Sequence, residues 1–409
     1  MAETLVSPGV LARENDQSFI TQQPVQVGAA IVGPTVKGPV EIPTVVTSYS
    51  DYQNRFGTTF ESGSDEYSFM TNISAYNYFQ NGGNTMLVTR VVSGSSTWTF
   101  SSASIAASGS GNSFTLEAID KGIIFNNSAS NGVNLITGGS GSLVSGSTDN
   151  IRWEIANSSQ ADGNFNLLVR QGNDNDNNKI VLESWTNLSL DPKADNYISK
   201  VIGDQYYNYN VTENYIEVTG SYANASRYIR VKSVDKKTPD YFDNAGNAKN
   251  EFTASMPQVG SGSYAGTFKG GVGNVIPSGR TMNLYGDINS TDTQGLVGTD
   301  YTNMLNLLSN QDDYQFNLLV TPGLIDTAQT SQMTTALNNT QMRGDSIYIM
   351  DLVPYASTIT AANTQANARN SSYGAAYWPW LQTIDPDMGD QVWVPASAMI
   401  PGVYAFNDN

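Results

Sequence analysis

The run Phe69-Met70-Thr71-Asn72-Ile73-Ser74-Ala75-Tyr76-Asn77-Tyr78-Phe79-Gln80-Asn81-Gly82-Gly83-Asn84-Thr85-Met86-Leu87-Val88-Thr89-Arg90-Val91-Val92 holds a helix, its stop and a strand in one stretch. Phe69, Ile73, Tyr76 and Phe79 recur near the helical period, and Ala75 and Tyr78 widen the stripe. Asn81-Gly82-Gly83 ends the helix, because glycine takes the left-handed conformation of a C-cap without a Cβ penalty. Thr85 to Val92 reads as a strand, with Met86, Val88 and Arg90 on one face and Leu87, Thr89 and Val91 on the other.

Toward the N-terminus, Val25-Gln26-Val27 alternates and leads into Ala29-Ala30-Ile31-Val32, a strand that Gly33-Pro34 stops. Val40 to Thr47 predicts a second strand, and Ser50-Asp51 predicts the cap of a short helix ending at Phe56-Gly57. Residues 1–20 read as an extended arm: Ser7-Pro8-Gly9-Val10 is a turn signal with little apolar anchorage after it.

Toward the C-terminus the character changes after Val92. Residues 93–112 and 126–150 are rich in Gly, Ser and Asn and show no period, with strand-like pieces at Phe114–Ile119, Ile151–Ile155, Phe165–Arg170 and Ile180–Trp185. These predict a separate β insertion with long exposed loops. Tyr215–Val218 and Tyr228–Val231 add two strands, and a Gly-rich stretch covers 260–273. From about 298 the pattern turns α/β. A helix is expected around Met304–Leu308, a buried strand at Phe316–Val320, a polar helix over 327–342, a second buried strand from Ser346 to Val353 and a helix at Ala361–Arg369. An aromatic extended segment from Tyr373 to Ile384 follows. Two buried strands separated by a helix argue for a parallel pair.

Composition limits the function. The 409 residues predict two or three domains, and 39% hydrophobic content with 22 Tyr and 14 Phe is enough for real cores. A net charge of −17 makes the chain a poor non-specific ligand for DNA or for anionic membranes. The absence of Cys removes disulfides, thiolate metal sites and thiol nucleophiles; the absence of His removes the usual general base and the commonest metal ligand. The Met1-Ala2-Glu3-Thr4 start has no signal-peptide pattern, and no run reaches the about 18 apolar residues of a membrane span.

Chemical motifs read weakly. Counted from Asp174, the Asn173–Asn178 run puts Lys179 and Trp185 where a calcium loop needs Gly and Glu, so it reads as a solvated turn. In Gly266-Thr267-Phe268-Lys269-Gly270-Gly271-Val272-Gly273, Val272 stands where a phosphate loop needs Lys, and Ile276-Pro277 blocks the helix that should follow. The pairs Asp312/Asp313 and Asp385/Asp387 are neighbours in loops rather than carboxyls facing across a cleft. Trp378-Pro379-Trp380 and Trp393-Val394-Pro395 read as core or interface anchors before a sugar platform. The triplets Asn126-Asn127-Ser128 and Asn224-Ala225-Ser226 read as chance products of an Asn- and Ser-rich chain. No catalytic, cofactor-binding or metal-ligating set is assigned.

Four segments together resemble the tail sheath proteins of contractile-tailed bacteriophages, the T-even-type family in particular. They are Ala75–Gly83 running into Leu87-Val88-Thr89-Arg90-Val91; Phe165–Gly172 with Val181-Leu182-Glu183, Leu188–Pro192 and Asn196-Tyr197-Ile198; Asn224–Val231; and Tyr377–Trp380 with Val394–Ser397 and Pro401–Ala405. Ser7-Pro8-Gly9-Val10 stands in front of them in the family's order. The resemblance implies an α+β or α/β multidomain fold, with a discontinuous α/β core built from both chain ends and nested β-rich insertions. The expected division is an arm at 1–20, a core of 21–92 plus 298–409, an outward-facing β-barrel-like insertion at 93–200 and a second β-rich region at 201–297. It further implies a virion structural subunit, made in the bacterial host's cytoplasm, that is neither an enzyme nor a cofactor or nucleic-acid binder. Its partners would be copies of itself in stacked six-fold rings, a tail tube and a baseplate. The arm adds a strand to a neighbour, which designates Val10, Leu11, Ala12 and Arg13 as subunit contacts. Family members usually continue beyond the Tyr404-Ala405 region, so a stop at Asn409 is expected to mark a truncated chain or an unusual member. The sheath of a related contractile injection device, a non-enzymatic adhesin and a His-independent glycosidase are the competing assignments.

Overall fold

The computed structural model describes residues 27–62, 65–127, 140–260, 266–277, 285–286 and 288–408. The first part runs β1 (Val27–Gly33), β2 (Thr44–Val46), α1 (Tyr49–Phe56), β3 (Thr59–Ser62), β4 (Asp65–Ser68), α2 (Met70–Gln80) and β5 (Met86–Arg90). The middle holds β6 (Phe100–Ala106), β7 (Asn112–Lys121), β8 (Ile151–Ser159), β9 (Asn164–Gln171), β10 (Val181–Ser189), α3 (Ile198–Ile202), β11 (Tyr206–Asn210), β12 (Tyr215–Thr219), β13 (Ile229–Val234) and α4 (Asn250–Thr253). The last part holds α5 (Thr302–Leu307), β14 (Phe316–Val320), α6 (Thr330–Arg343), β15 (Ile347–Met350), α7 (Ile359–Asn367) and β16 (Gly374–Ala376). The hairpin β17 (Leu381–Ile384) and β18 (Gln391–Val394) and the helix α8 (Ile400–Asp408) complete it. The fold is multidomain and mixes α and β.

Both ends of the chain meet in one six-stranded sheet of order β16-β15-β14-β1-β5-β2. β1 is central and parallel to both neighbours, with Ile31 opposite Val320 on one side and Val88 on the other. β14, β15 and β16 continue the parallel run, as the buried-strand pattern predicts, and β2 closes the far edge antiparallel. The alternation read from Met86 to Val91 holds. Met86 and Val88 pack with Ala29, Ile31, Tyr52, Phe56, Ala75 and Tyr78 on the α1/α2 side. Leu87 and Val91 pack with Leu305, Met333 and Leu337 on the α5/α6 side. Strands buried on both faces are what a parallel sheet between two helix layers requires.

The Asn81-Gly82-Gly83 stop works through packing as well as conformation. Gly82 has φ 94°, and the Gly83 N–H donates to Tyr78 O at 3.0 Å. A Cβ on Gly83 would lie 2.3 Å from the Tyr78 ring, whose hydroxyl donates to Thr85 O at 3.1 Å. The ring is thus clamped by the turn it helps to form.

Several expectations shift. Ser48, one turn-start earlier than Ser50, caps α1 by accepting from the Asp51 N–H. The strand expected over Val40–Thr47 shrinks to β2, because Glu41 takes φ 61° and Pro43 has no N–H to give; Val40 keeps a single bridge to Arg90. The stretch read as aperiodic, 93–112, contains β6. Its inward residues Ser101, Ala103 and Ile105 do alternate, but two are too small to show as an apolar period. α3, α8, β11 and the β3–β4 hairpin also went unread.

In the middle of the chain, β13-β7-β6 and β10-β9-β8 form two three-stranded sheets around one apolar cluster, where Phe114 stacks on Phe165. Residues from both 93–200 and 201–297 build that cluster, Ile229, Val231 and Phe268 among them.

Candidate functional site

In an open parallel sheet a ligand is expected at the carboxyl ends of the strands, where successive connections leave in opposite directions. Here that point lies between β1 and β14, and protein fills it. Gln294, buried with φ 54°, accepts from the Met70 N–H at 2.8 Å and donates to Pro322 O at 3.0 Å. Thr293 Oγ1 donates to Gly323 O at 2.6 Å, so one turn ties the exit of β14 to the start of α2. Nothing in the local sequence marks Gln294; its partners lie on α2 and on the loop after β14.

Further along the same edge, polar groups satisfy one another. Asp351 accepts from Ser397 Oγ at 2.5 Å and Ser397 N at 3.1 Å. Burial pushes its carboxyl up to about 7, against the pull of those two bonds. Buried Asp326 holds Arg369 and accepts from Gln365 Nε2 at 2.8 Å. Beside them, an opening of about 140 Å³ is lined by Tyr377, Trp378 and Trp380, with Asp351 its only acidic residue. Trp380 is buried and donates to Val353 O at 3.0 Å, whereas Trp378 is 44% exposed. The first fits an anchor; the second lies at the surface, and among the described residues lining the opening no opposed carboxyl pair flanks it.

The other sequence candidates resolve as structural ties. Asp387 accepts from Tyr49 and Asn72 at 2.8 Å each and from Gln53 at 3.3 Å, fastening its loop to α1 and α2. Buried Asp385 accepts from the N–H groups of Asp387 and Met388. Asp312 and Asp313 share an exposed turn with Asn310. Asp174 departs from the expected solvated turn: it is fully buried and grips the Arg170 guanidinium at 2.7 and 2.9 Å. The Gly-rich stretch runs along the free edge of β6, where Ser102 and Lys269 exchange backbone hydrogen bonds of 2.8 and 3.0 Å. A Cβ on Gly273, at φ 119°, would lie 2.1 Å from the Trp98 ring, and one on Gly271 2.4 Å from Gly122 O, so these two glycines serve a close backbone approach. Asn126 spends its amide on Gly271, donating to its O and accepting from its N. Val10, Leu11, Ala12 and Arg13 lie outside the described residues.

An opening of about 830 Å³ has walls that are far apart in sequence, so no local pattern announces it. One wall is formed by residues 37–58 beside the parallel sheet, the other by residues 100–230 of the middle β region. Lys37 pairs with Asp149 at 3.3 Å, and Arg227 approaches Asp51 at 3.9 Å. Deeper in, Arg90 is fully buried and donates to Gly38 O and Val36 O. Burial pushes Arg90 down to about 10 and Asp120 up to about 6, each partly offset by attraction to the other. Burial also raises Glu41 and lowers Lys121, which attract one another. Among the described residues no cluster of acidic side chains is arranged to hold a metal ion, and no helix is long and apolar enough to cross a membrane.

The fold and its filled strand exits define a mixed α/β multidomain protein whose sheet edge is occupied by its own turns. No family model matches the sequence, and no curated protein matches it at a significant level. In structure the chain is similar to a sheath tail protein from Listeria innocua, at 11% identity and a TM-score of 0.46, covering 93% of this chain and 57% of that one. It is also similar to a sheath tail protein from Desulfitobacterium hafniense, at 10% identity and a TM-score of 0.42, covering 97% of this chain and 62% of that one. The chain thus spans less than two thirds of either.

Proposed function

We propose that this chain is a subunit of a contractile tail sheath, a structural and non-enzymatic protein of a phage virion. Copies stack as six-fold rings around a tail tube on a baseplate, and their contraction drives the tube through the host envelope for genome ejection. The observation that carries the reading is the sheet. The resemblance implies a core made from both chain ends with insertions after the Arg90-Val91 strand, and β1 and β5 do share a sheet with β14, β15 and β16. The filled strand exits support it further, since Gln294 and Asp351 spend their polar atoms on neighbouring protein groups. In this reading residues 21–92 and 298–409 form the core and 1–20 the arm, whose Val10–Arg13 segment reaches a neighbouring copy. Residues 93–200 form the outward insertion, and 201–297 a second region sharing its apolar cluster.

Electron microscopy of the protein expressed from its complete reading frame tests the assignment. Hollow tubes of stacked six-fold rings are the expected product. Discrete particles that form no tubes at any concentration and retain a glycan ligand would instead make it an adhesin.

A further inference from the structure

We propose that the cleft between residues 37–58 and the middle β region is a salt-sensitive hinge, held shut by charge pairs and pivoting on apolar contacts between the two regions. The inference rests on the core-and-insertion division proposed above.

The latch is complementary residue by residue. The sheet side presents Lys37, Arg55 and Arg90 toward Asp149 and Asp120 of the β region. It also presents Asp51 and Glu41 toward Arg227 and Lys121. The Gly38 N–H adds a hydrogen bond to Asp120 across the same gap. The chain has 37 acidic and 20 basic residues, so a chance apposition of two surfaces would set like charges together about as often as opposite ones. Opposite signs meet here, and the polarity reverses along the cleft, which fixes one relative placement of the walls. Arg227, which approaches Asp51, is 63% exposed and open to screening by salt, whereas Lys37 and Asp149, at 13% and 17%, are screened less.

The pivot is apolar. Tyr209 of β11 is buried, and with half-buried Ile216 of β12 it packs on the cluster containing Met304 and Leu307 of α5. The same hairpin hydrogen-bonds α5, from Tyr209 to Asn303 O at 3.4 Å and from Asn214 to Asn306 O at 3.2 Å. Val40, Val92 and Trp98 make a second small apolar contact where the chain leaves the sheet. Salt weakens exposed ion pairs but not apolar contacts, so raising it loosens the latch and leaves the pivot in place.

Because the chain has no Cys, two introduced thiols give unique labels. Asn54→Cys and Thr148→Cys put exposed probes on opposite walls of the cleft. Spin-label distances are expected to lengthen and broaden between 50 mM and 1 M NaCl, salts that bracket the screening range. Lys37→Glu should give the long distance already at low salt, and Lys37→Asp combined with Asp149→Lys should restore the short one. An identical distance distribution at both salts would overturn the hinge, and if Lys37→Glu does not fold, the salt comparison decides alone. Calorimetry separates the two layers of the inference. A single unfolding transition removes the core-and-insertion division itself, whereas two transitions with an unmoved distance remove only the hinge.

Discussion

Arg170 shows how much one buried charge controls. Its guanidinium, fully buried, reaches Asp174 at 2.7 and 2.9 Å, Glu154 at 2.6 Å and Asp176 at 3.2 Å. Removing one member of such a set leaves the others charged and out of water, which costs far more than the intact set contributes. Arg170→Ala is therefore expected to lower stability by about 3–5 kcal/mol in urea unfolding. Lys193→Ala, whose pair with Asp240 lies in solvent, should leave the midpoint unmoved. Gly83→Ala probes packing instead. Its new methyl must displace the Tyr78 ring, and a loss of about 1–3 kcal/mol is expected by the same measurement. The two sites differ in legibility. Gly83 was readable because a helix stop has a local signature. The burial of Asp174 was not, because the strands that cover it are set by long-range pairing and nothing in Asn173–Asn178 reports them.

Among the elements, the turn carrying Gln294 and the end of β15 set the chemistry of the sheet edge. Gln294→Ala leaves the Met70 N–H and the Pro322 carbonyl without their partner, at a cost of about 1–3 kcal/mol for each buried group. The expected readout is faster hydrogen exchange at the first turn of α2. Asp351 titrates in the folded state near 7, above its ordinary range, because burial disfavours the charge. A group raised on folding contributes fully below its unfolded value, about 4, and loses that contribution as pH rises through the folded one. Wild-type stability should therefore fall relative to Asp351→Asn between about pH 4 and 8, and run parallel to it below that window. Urea midpoints across the pH series decide this, and parallel curves throughout would show that Asp351 is not so perturbed. Strand β15 was legible as a buried run, yet the fate of Asp351 just beyond it was not, because Ser397 arrives from a segment after β18. β6 illustrates a different limit: a strand whose inward side chains are mostly small hides its period.

For the whole molecule, the change of composition at Val92 was the readable sign of a second region, and β1 and β5 share one sheet with β14, β15 and β16. The cleft was unreadable, since its pairs link residues as far apart as Asp51 and Arg227. What the clusters predict is thermal behaviour. Phe114, Phe165, Ile229 and Phe268 belong to one apolar cluster; Ile31, Val88 and Val320, with Leu87, Leu319 and Met333, belong to two others on the faces of the large sheet. Regions that keep separate cores, joined through a charged cleft and a hairpin, unfold as separate cooperative units. Calorimetry is expected to resolve two transitions. Phe165→Ala removes a fully buried ring stacked on Phe114 and should lower one of them by the equivalent of about 3–5 kcal/mol. Leu319→Ala, in the sheet, should lower the other by about 2–5 kcal/mol. The double variant should show both shifts unchanged to within about 0.5 kcal/mol, because the sites share no partners. A single transition displaced by either substitution would mean that the two regions are one folding unit, which removes the core-and-insertion division.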